Sequence, residues 1–161
     1  DIIMNAINEI RKISRSLMPA SVSDLGLISS VNDLVQNITI AKQLVVDFRY
    51  DPKLEKLLGP KQKLMLFRII QEQVNNVLKH AHASSLIIVI THKPRFTRLE
   101  IADNGIGFDM EQVKSKNGLG LSNIMSRAAI FNADVKVVTA PGKGCQMIID
   151  FPNTLNKEEV I

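Results

Sequence analysis

What most constrains this chain is that its apolar residues switch period along the sequence, and that the alternating runs arrive in close pairs. Leu64, Phe67, Ile70, Val74 and Val77 recur at helical spacing, which predicts a long helix over 61–81, just after Pro60, with one face buried. Leu27, Val31, Leu34, Val35 and Ile38 space as an earlier helix, and residues 121–131 as a later one. Strand-like runs over 86–91 and 98–102 meet near Pro94, and those over 135–139 and 146–151 flank Pro141-Gly142-Lys143-Gly144. Each pair predicts a hairpin. A further strand over 44–50 is broken by Asp51-Pro52. Hairpins interleaved with helices give a mixed sheet. The predicted fold class is α/β (α+β): a two-layer α/β sandwich whose mixed sheet is covered on one face by helices.

Aromatic residues make up only 4% of the chain while hydrophobic ones make up 45%, so the core must be built from Ile, Leu, Val and Met. A length of 161 residues suits one compact domain with a short appendage. Residues 1–24 are that appendage. Ile3, Ile7, Ile10 and Leu17 follow heptad-like spacing with Ser14 in the remaining slot, and Met4, Ala6 and Ile13 widen the stripe. So wide a stripe on a helix that ends at Pro19 predicts a helical bundle completed by another chain. Opening without Met and in mid-helix pattern is what a piece of a longer protein would do. The polar tail over 153–161 is expected to fray. The single cysteine, Cys145, permits no intrachain disulfide and fits a reducing compartment; its alternating surroundings predict a buried small side chain. A net charge of +4 is mild and favours an anionic ligand or an acidic partner. Without a basic helix or a basic cluster interleaved with aromatics, no nucleic-acid partner is expected.

Three segments carry chemistry. On the long helix, Glu72, Asn76, Lys79 and His80 form one polar stripe at i, i+4, i+7 and i+8, with Val74, Val77, Leu78 and Ala81 on the other face. An Asn carbonyl is a hard ligand suited to Mg²⁺, and a Lys supplies a point charge to phosphate. At a strand end, Asp103-Asn104-Gly105-Ile106-Gly107 sets a carboxylate beside two glycines that let backbone approach a planar ligand. Asp103 can accept a hydrogen bond from an exocyclic amine such as adenine N6, and a ligand without that donor would leave it unpaired. Gly118-Leu119-Gly120-Leu121 then leads into a helix, whose first-turn N–H groups bind anions. It is neither the dinucleotide fingerprint nor a P-loop. His80 and His82 point to different faces and His92 closes a strand, so no zinc site is expected.

In this order, and closed by Gly142-Lys143-Gly144, these segments resemble the GHKL ATPases, the superfamily of gyrase, heat-shock chaperones, histidine kinases and mismatch-repair proteins. Asn76 matches the Mg²⁺-binding asparagine of the N box. Asp103, Gly105 and Gly107 match the adenine-binding G1 box, and Gly118 and Gly120, followed by Leu121, match the G2 box. Within the superfamily, Asn76 through Lys79-His80-Ala81 looks like the N box of histidine kinases related to nitrate and membrane-fluidity sensors. Residues 1–24 resemble the end of their second dimerisation helix and its linker, and 25–152 their catalytic domain. No phenylalanine-rich F box is evident, and Cys145 stands where many relatives carry Thr.

The resemblance implies ATP and Mg²⁺ as ligands and transfer of the γ-phosphate to a histidine on a dimerisation helix that this sequence lacks. It implies Lys79, His80 and Leu121 at the nucleotide, and makes Glu72 the candidate catalytic residue. The implied partners are that phosphoacceptor helix, in a homodimer, and the receiver domain of a response regulator. The implied setting is a cytoplasmic domain of a membrane-anchored sensor. An ATPase switch of the gyrase kind would need a longer lid than the stretch from Gly107 to Gly118. The amphipathic first helix argues against an anti-sigma-type serine kinase, and intact polar residues at every motif argue against a decayed interaction module.

Overall fold

The computed structural model describes residue 22 and residues 25–42, 44–115 and 119–153. The expected dimerisation helix and Gly118 lie outside the described residues, as does the tail beyond Asn153. Helix α1 (Leu27–Lys42) leads into strand β1 (Val45–Tyr50), the short helix α2 (Leu54–Leu57) and the long helix α3 (Pro60–Asn76). A π turn, Val77–Ala81, prolongs α3. Strands β2 (Ser85–His92) and β3 (Phe96–Asp103) follow, then helices α4 (Met110–Ser115) and α5 (Leu119–Ile130), and the closing strands β4 (Asp134–Thr139) and β5 (Cys145–Pro152). Among the described residues the expected strands and helices are present. Two short helices, α2 and α4, fall where the sequence pattern predicts turn and loop.

The sheet runs β1-β2-β3-β5-β4. β1 is parallel to β2 and every other pairing is antiparallel, so the sheet is mixed. Register decides its two faces. Leu86 pairs with Asp103, Ile88 with Ile101 and Ile90 with Leu99, while Ile101 pairs with Met147 and Leu99 with Ile149. These aliphatic side chains are fully buried and form one face. They pack with Leu66, Ile69, Ile70 and Val74 of α3 and Ile124 and Ala128 of α5 in a single core. Burying each such side chain contributes about 1.5–3 kcal/mol before chain entropy is counted. The opposite face is polar along its middle. Arg98 holds Asp150 through two hydrogen bonds of 2.7 Å, and Gln146 donates to Glu100 at 2.7 Å.

Local signals start and stop the helices. Pro60 occupies the first turn of α3, where its missing N–H costs nothing, and the Gln62 side chain accepts the Gly59 N–H at 3.1 Å. After the π turn, His82 takes a left-handed conformation (φ 49°) that turns the chain toward β2. Helix α1 is capped from a distance: Glu55 of α2 accepts the N–H groups of Leu27 and Ile28, each at 3.1 Å, and pairs with Lys63. The start of α3 and helix α2 lie toward the His92 end of the sheet, and the His82 turn lies at the other end, where the polar motifs collect.

Candidate functional site

A cavity of about 540 Å³ opens between α3, α5 and that end of the sheet. Its walls are largely apolar, formed by Val77, Ala81, Phe108, Leu121 and Met147. Into it face Glu72, Asn76, Lys79 and His80 from α3 and the π turn, and Asp103 from the end of β3. Gly107, Gly120 and Asn123 complete the lining, with Gln73 and Cys145. A mostly apolar cavity with a few convergent polar groups is the form that small-ligand sites take. Of the residues expected at the site, Gly105 lies beneath the lining, and Gly118 is outside the described residues.

Asp103 is half-buried at the strand end, as its position in the sequence predicts. Its Oδ1 accepts the Gly105 N–H at 2.9 Å. Burial raises its carboxyl above the usual carboxylate range, while the N–H groups of Gly105 and Cys145 oppose that rise by holding the anion. The neighbouring Asn104 serves structure instead. Its Oδ1 accepts the N–H groups of Ser84 and Ser85 at 3.0 and 2.9 Å, tying the end of β3 to the start of β2. Gly105 is buried against the Ala81 carbonyl, where any β-carbon would collide. Gly107, at φ 60°, packs against the Ala140 carbonyl in the same way.

Asn76 ends the α-helical part of α3. Its amide lies 3.4 Å from the Gln73 side-chain oxygen, leaving its own Oδ1 free to accept from, or ligate, something in the cavity. Gly120 makes room for it: a β-carbon there would stand 2.5 Å from Asn76 Oδ1. The N box and the start of α5 therefore touch. The π turn that follows corrects the expected helical wheel in one respect. Val77 and Ala81, both assigned by α-helical spacing to the face opposite Asn76, line the cavity with it. A π turn holds an extra residue per turn and so rotates what comes after it. Lys79 and His80 are solvent-exposed at the cavity rim, able to reach a charged group at its mouth.

Cys145 pairs with Asp103 across β3 and β5, and Thr139 pairs with Cys145 across β4 and β5, so the three side chains form one row on the helix-covered face. Burial, with the Asp103 charge beside it, pushes the Cys145 thiol up to about 11. It is therefore a protonated, unreactive wall at neutral pH. Gln73, Phe108, Asn123, Met147 and Thr139 were not singled out by sequence spacing. Gln73 lies one turn before Asn76, Phe108 follows Gly107 and Asn123 sits on α5, so proximity to the motifs could have signalled these three, whereas strand register alone brings Met147 and Thr139 here.

A two-layer sandwich with this cavity at one end of a mixed sheet defines a small-ligand-binding class of fold. Residues 61–155 match the family described as Histidine kinase-, DNA gyrase B-, and HSP90-like ATPase, and the chain belongs to that family. It is 31% identical over 147 residues to the sensor histidine kinase LiaS of Bacillus subtilis (strain 168), covering 91% of this chain and 40% of that one. It is 32% identical over 154 residues to the histidine-protein kinase/phosphatase DegS of Brevibacillus brevis, covering 94% and 39%. The chain thus spans about two fifths of these relatives. Among solved structures, the blue-light activated histidine kinase EL346 of Erythrobacter litoralis superposes with a TM-score of 0.67 at 16% identity, covering 93% of this chain and 51% of that one. The histidine kinase AdeS of Acinetobacter baumannii superposes at 0.62 and 14%, covering 95% and 79%. These similarities bear out the predicted fold.

Proposed function

We propose that this chain is the ATP-binding catalytic domain of a sensor histidine kinase, which transfers the γ-phosphate of ATP to a histidine on a dimerisation helix of the same kinase. The observation that carries it is the meeting of Asp103 with Asn76 and Gly120 around one largely apolar cavity. The donor set fits an adenine nucleotide. A half-buried carboxylate in the cavity lining selects a ligand that can donate to it, such as the exocyclic amine of adenine. Apolar walls take the purine faces.

Asn76 and its Oδ1 would hold Mg²⁺, an oxygen ligand for a hard cation. Mg²⁺ supplies neutralisation of phosphate charge when bound. Lys79 and His80 lie at the rim, where a cation and an imidazole can receive phosphate oxygens. Gly120 and Leu121 bring backbone N–H groups of the first turn of α5 to the same anion, and Gly118 belongs to the same sequence motif. Gly105 and Gly107 keep the backbone close to the purine. Phosphoryl transfer rests on positioning and charge neutralisation, which is what these groups provide. Glu72 lines the cavity one turn before Asn76 and is its second carboxylate. Its role is to tune the region between Asn76 and the incoming acceptor, with the proton acceptor for the histidine supplied from the acceptor helix.

Residues 1–24 belong in this scheme to the end of the second dimerisation helix and its linker, and 25–152 to the catalytic domain. The partners are the phosphoacceptor helix within a homodimer and the receiver domain of a response regulator. The whole kinase is a membrane-anchored sensor with this domain in the cytoplasm. Isothermal titration of ATP, with and without Mg²⁺, tests the assignment. Asp103→Asn is expected to weaken ATP by about tenfold or more, the cost of mispairing a buried polar group. Asn76→Ala is expected to remove the gain in affinity that Mg²⁺ gives. Wild-type affinity and wild-type Mg²⁺ dependence in both variants reject the proposal.

A further inference from the structure

One polar side chain near the cavity does not line it and has no part in the scheme above. Thr139 closes strand β4, half-buried, in the row with Cys145 and Asp103. Its hydroxyl oxygen accepts the Phe108 N–H at 3.1 Å and the hydroxyl donates to the Gly144 carbonyl at 2.8 Å. Phe108 ends the segment that begins at Asp103 and runs through Gly105 and Gly107, whereas Gly144 belongs to the β4–β5 turn. One hydroxyl therefore staples two loops that reach it from opposite sides.

The two loops are also in direct contact. Gly142 N–H donates to the Ile106 carbonyl at 2.6 Å, and Gly107 packs on the Ala140 carbonyl. Gly144 sits against the Asp103 carbonyl so closely that a β-carbon has no room. No side chain within that stack fixes its depth beyond what the Gly142–Ile106 hydrogen bond provides, since glycines have none to interlock. The hydroxyl of Thr139 does, because it saturates one orphan N–H and one orphan carbonyl at a fixed separation. A shift of either loop moves Gly107 and Asp103, both of which line the cavity.

We infer that Thr139 is a positioning residue for the purine end of the cavity, setting the spacing between the Asp103–Phe108 segment and the β4–β5 turn through its single hydroxyl. This rests on the proposal that the cavity takes ATP. Valine at 139 keeps the shape and β-branching of threonine but leaves the Phe108 N–H and the Gly144 carbonyl unpaired. Serine restores both bonds.

The test measures ATP affinity by titration calorimetry and melting temperature together, on the wild type, T139V, T139S and T97V. Thr97 is the control. It is fully buried on β3, hydrogen-bonded to His92 and Asn153 at the opposite end of the sheet, and distant from the cavity. T139V is expected to bind ATP about tenfold more weakly, the size of one lost buried polar pairing. T139S should bind within about twofold of wild type, and T97V should melt earlier while binding ATP as wild type does. Wild-type affinity in T139V overturns the inference, and so does an equal loss in T97V, which would make the effect one of stability alone. If T139V does not fold, T139A is compared with T139S in its stead, and equal affinities for ATP overturn the inference. A wild-type chain that ignores ATP defeats the proposed function itself, a different result from any of these.

Discussion

In the proposed site, Asp103 serves the ligand at the expense of the fold. Burial holds its carboxyl above the usual carboxylate range, with the Gly105 and Cys145 N–H groups only opposing that effect. In the unfolded chain the same group ionises at its ordinary value. Across the window between the two, the folded state binds more protons, so stability falls as pH rises through it, and the penalty persists at neutral pH. Asp103→Asn removes the charge and keeps an oxygen for Gly105. The variant is expected to melt above the wild type at pH about 7, by a margin that shrinks as pH falls through the carboxylate range near pH about 4. Thermal denaturation of the ligand-free chain at several pH values checks this, and a wild type that melts higher at neutral pH contradicts it. Asp103 and Asn76 were legible in the sequence because a strand end and a helical stripe expose them locally. Cys145 and Thr139 gained their places beside Asp103 from pairing across three strands, which no local spacing encodes.

At the scale of elements, the helices and hairpins followed from the apolar periods and the turn residues between them. What escaped was short or irregular. Helix α2 has a single buried residue, Leu54, and α4 is only six residues long, too little for a period to register. The π turn escaped because its residues still read as a continuation of the same helix. Helix α2 nevertheless does more than its length promises. Its Glu55 caps α1 across 27 and 28 residues of sequence. Burial works against the Glu55 charge, but Lys63 and the Ile28 and Leu27 N–H groups together outweigh it and hold the carboxyl below its ordinary value. Glu55→Ala is expected to cost about 1–2 kcal/mol in urea denaturation, the loss of a helix cap. For wild type that contribution is present above the ordinary carboxylate pKa and fades as pH falls through the lowered one. An Ala variant as stable as wild type at neutral pH rules this cap out as a stabilising contact.

For the molecule as a whole, the sheet order was the part least open to sequence reading. Two hairpins and a lone strand can be arranged in several ways. The observed order sets β5 between β3 and β4, so the last strand made is internal and the site draws on residues from Glu72 to Met147. The carbonyl of Ala81 receives the Ile106 N–H at 2.8 Å, the Ile106 carbonyl receives the Gly142 N–H, and Thr139 spans Phe108 and Gly144. Each support leans on one supplied by a later stretch of chain. During translation, then, a nascent polypeptide already carrying Asn76 and Asp103 has no place for a nucleotide until Gly144 and β5 have left the ribosome. Chains arrested before residue 145 should not retain on an immobilised-ATP resin that holds the completed chain. On the proposed reading, the ability to bind ATP becomes a late checkpoint of synthesis, one that a truncated chain fails however intact its earlier motifs.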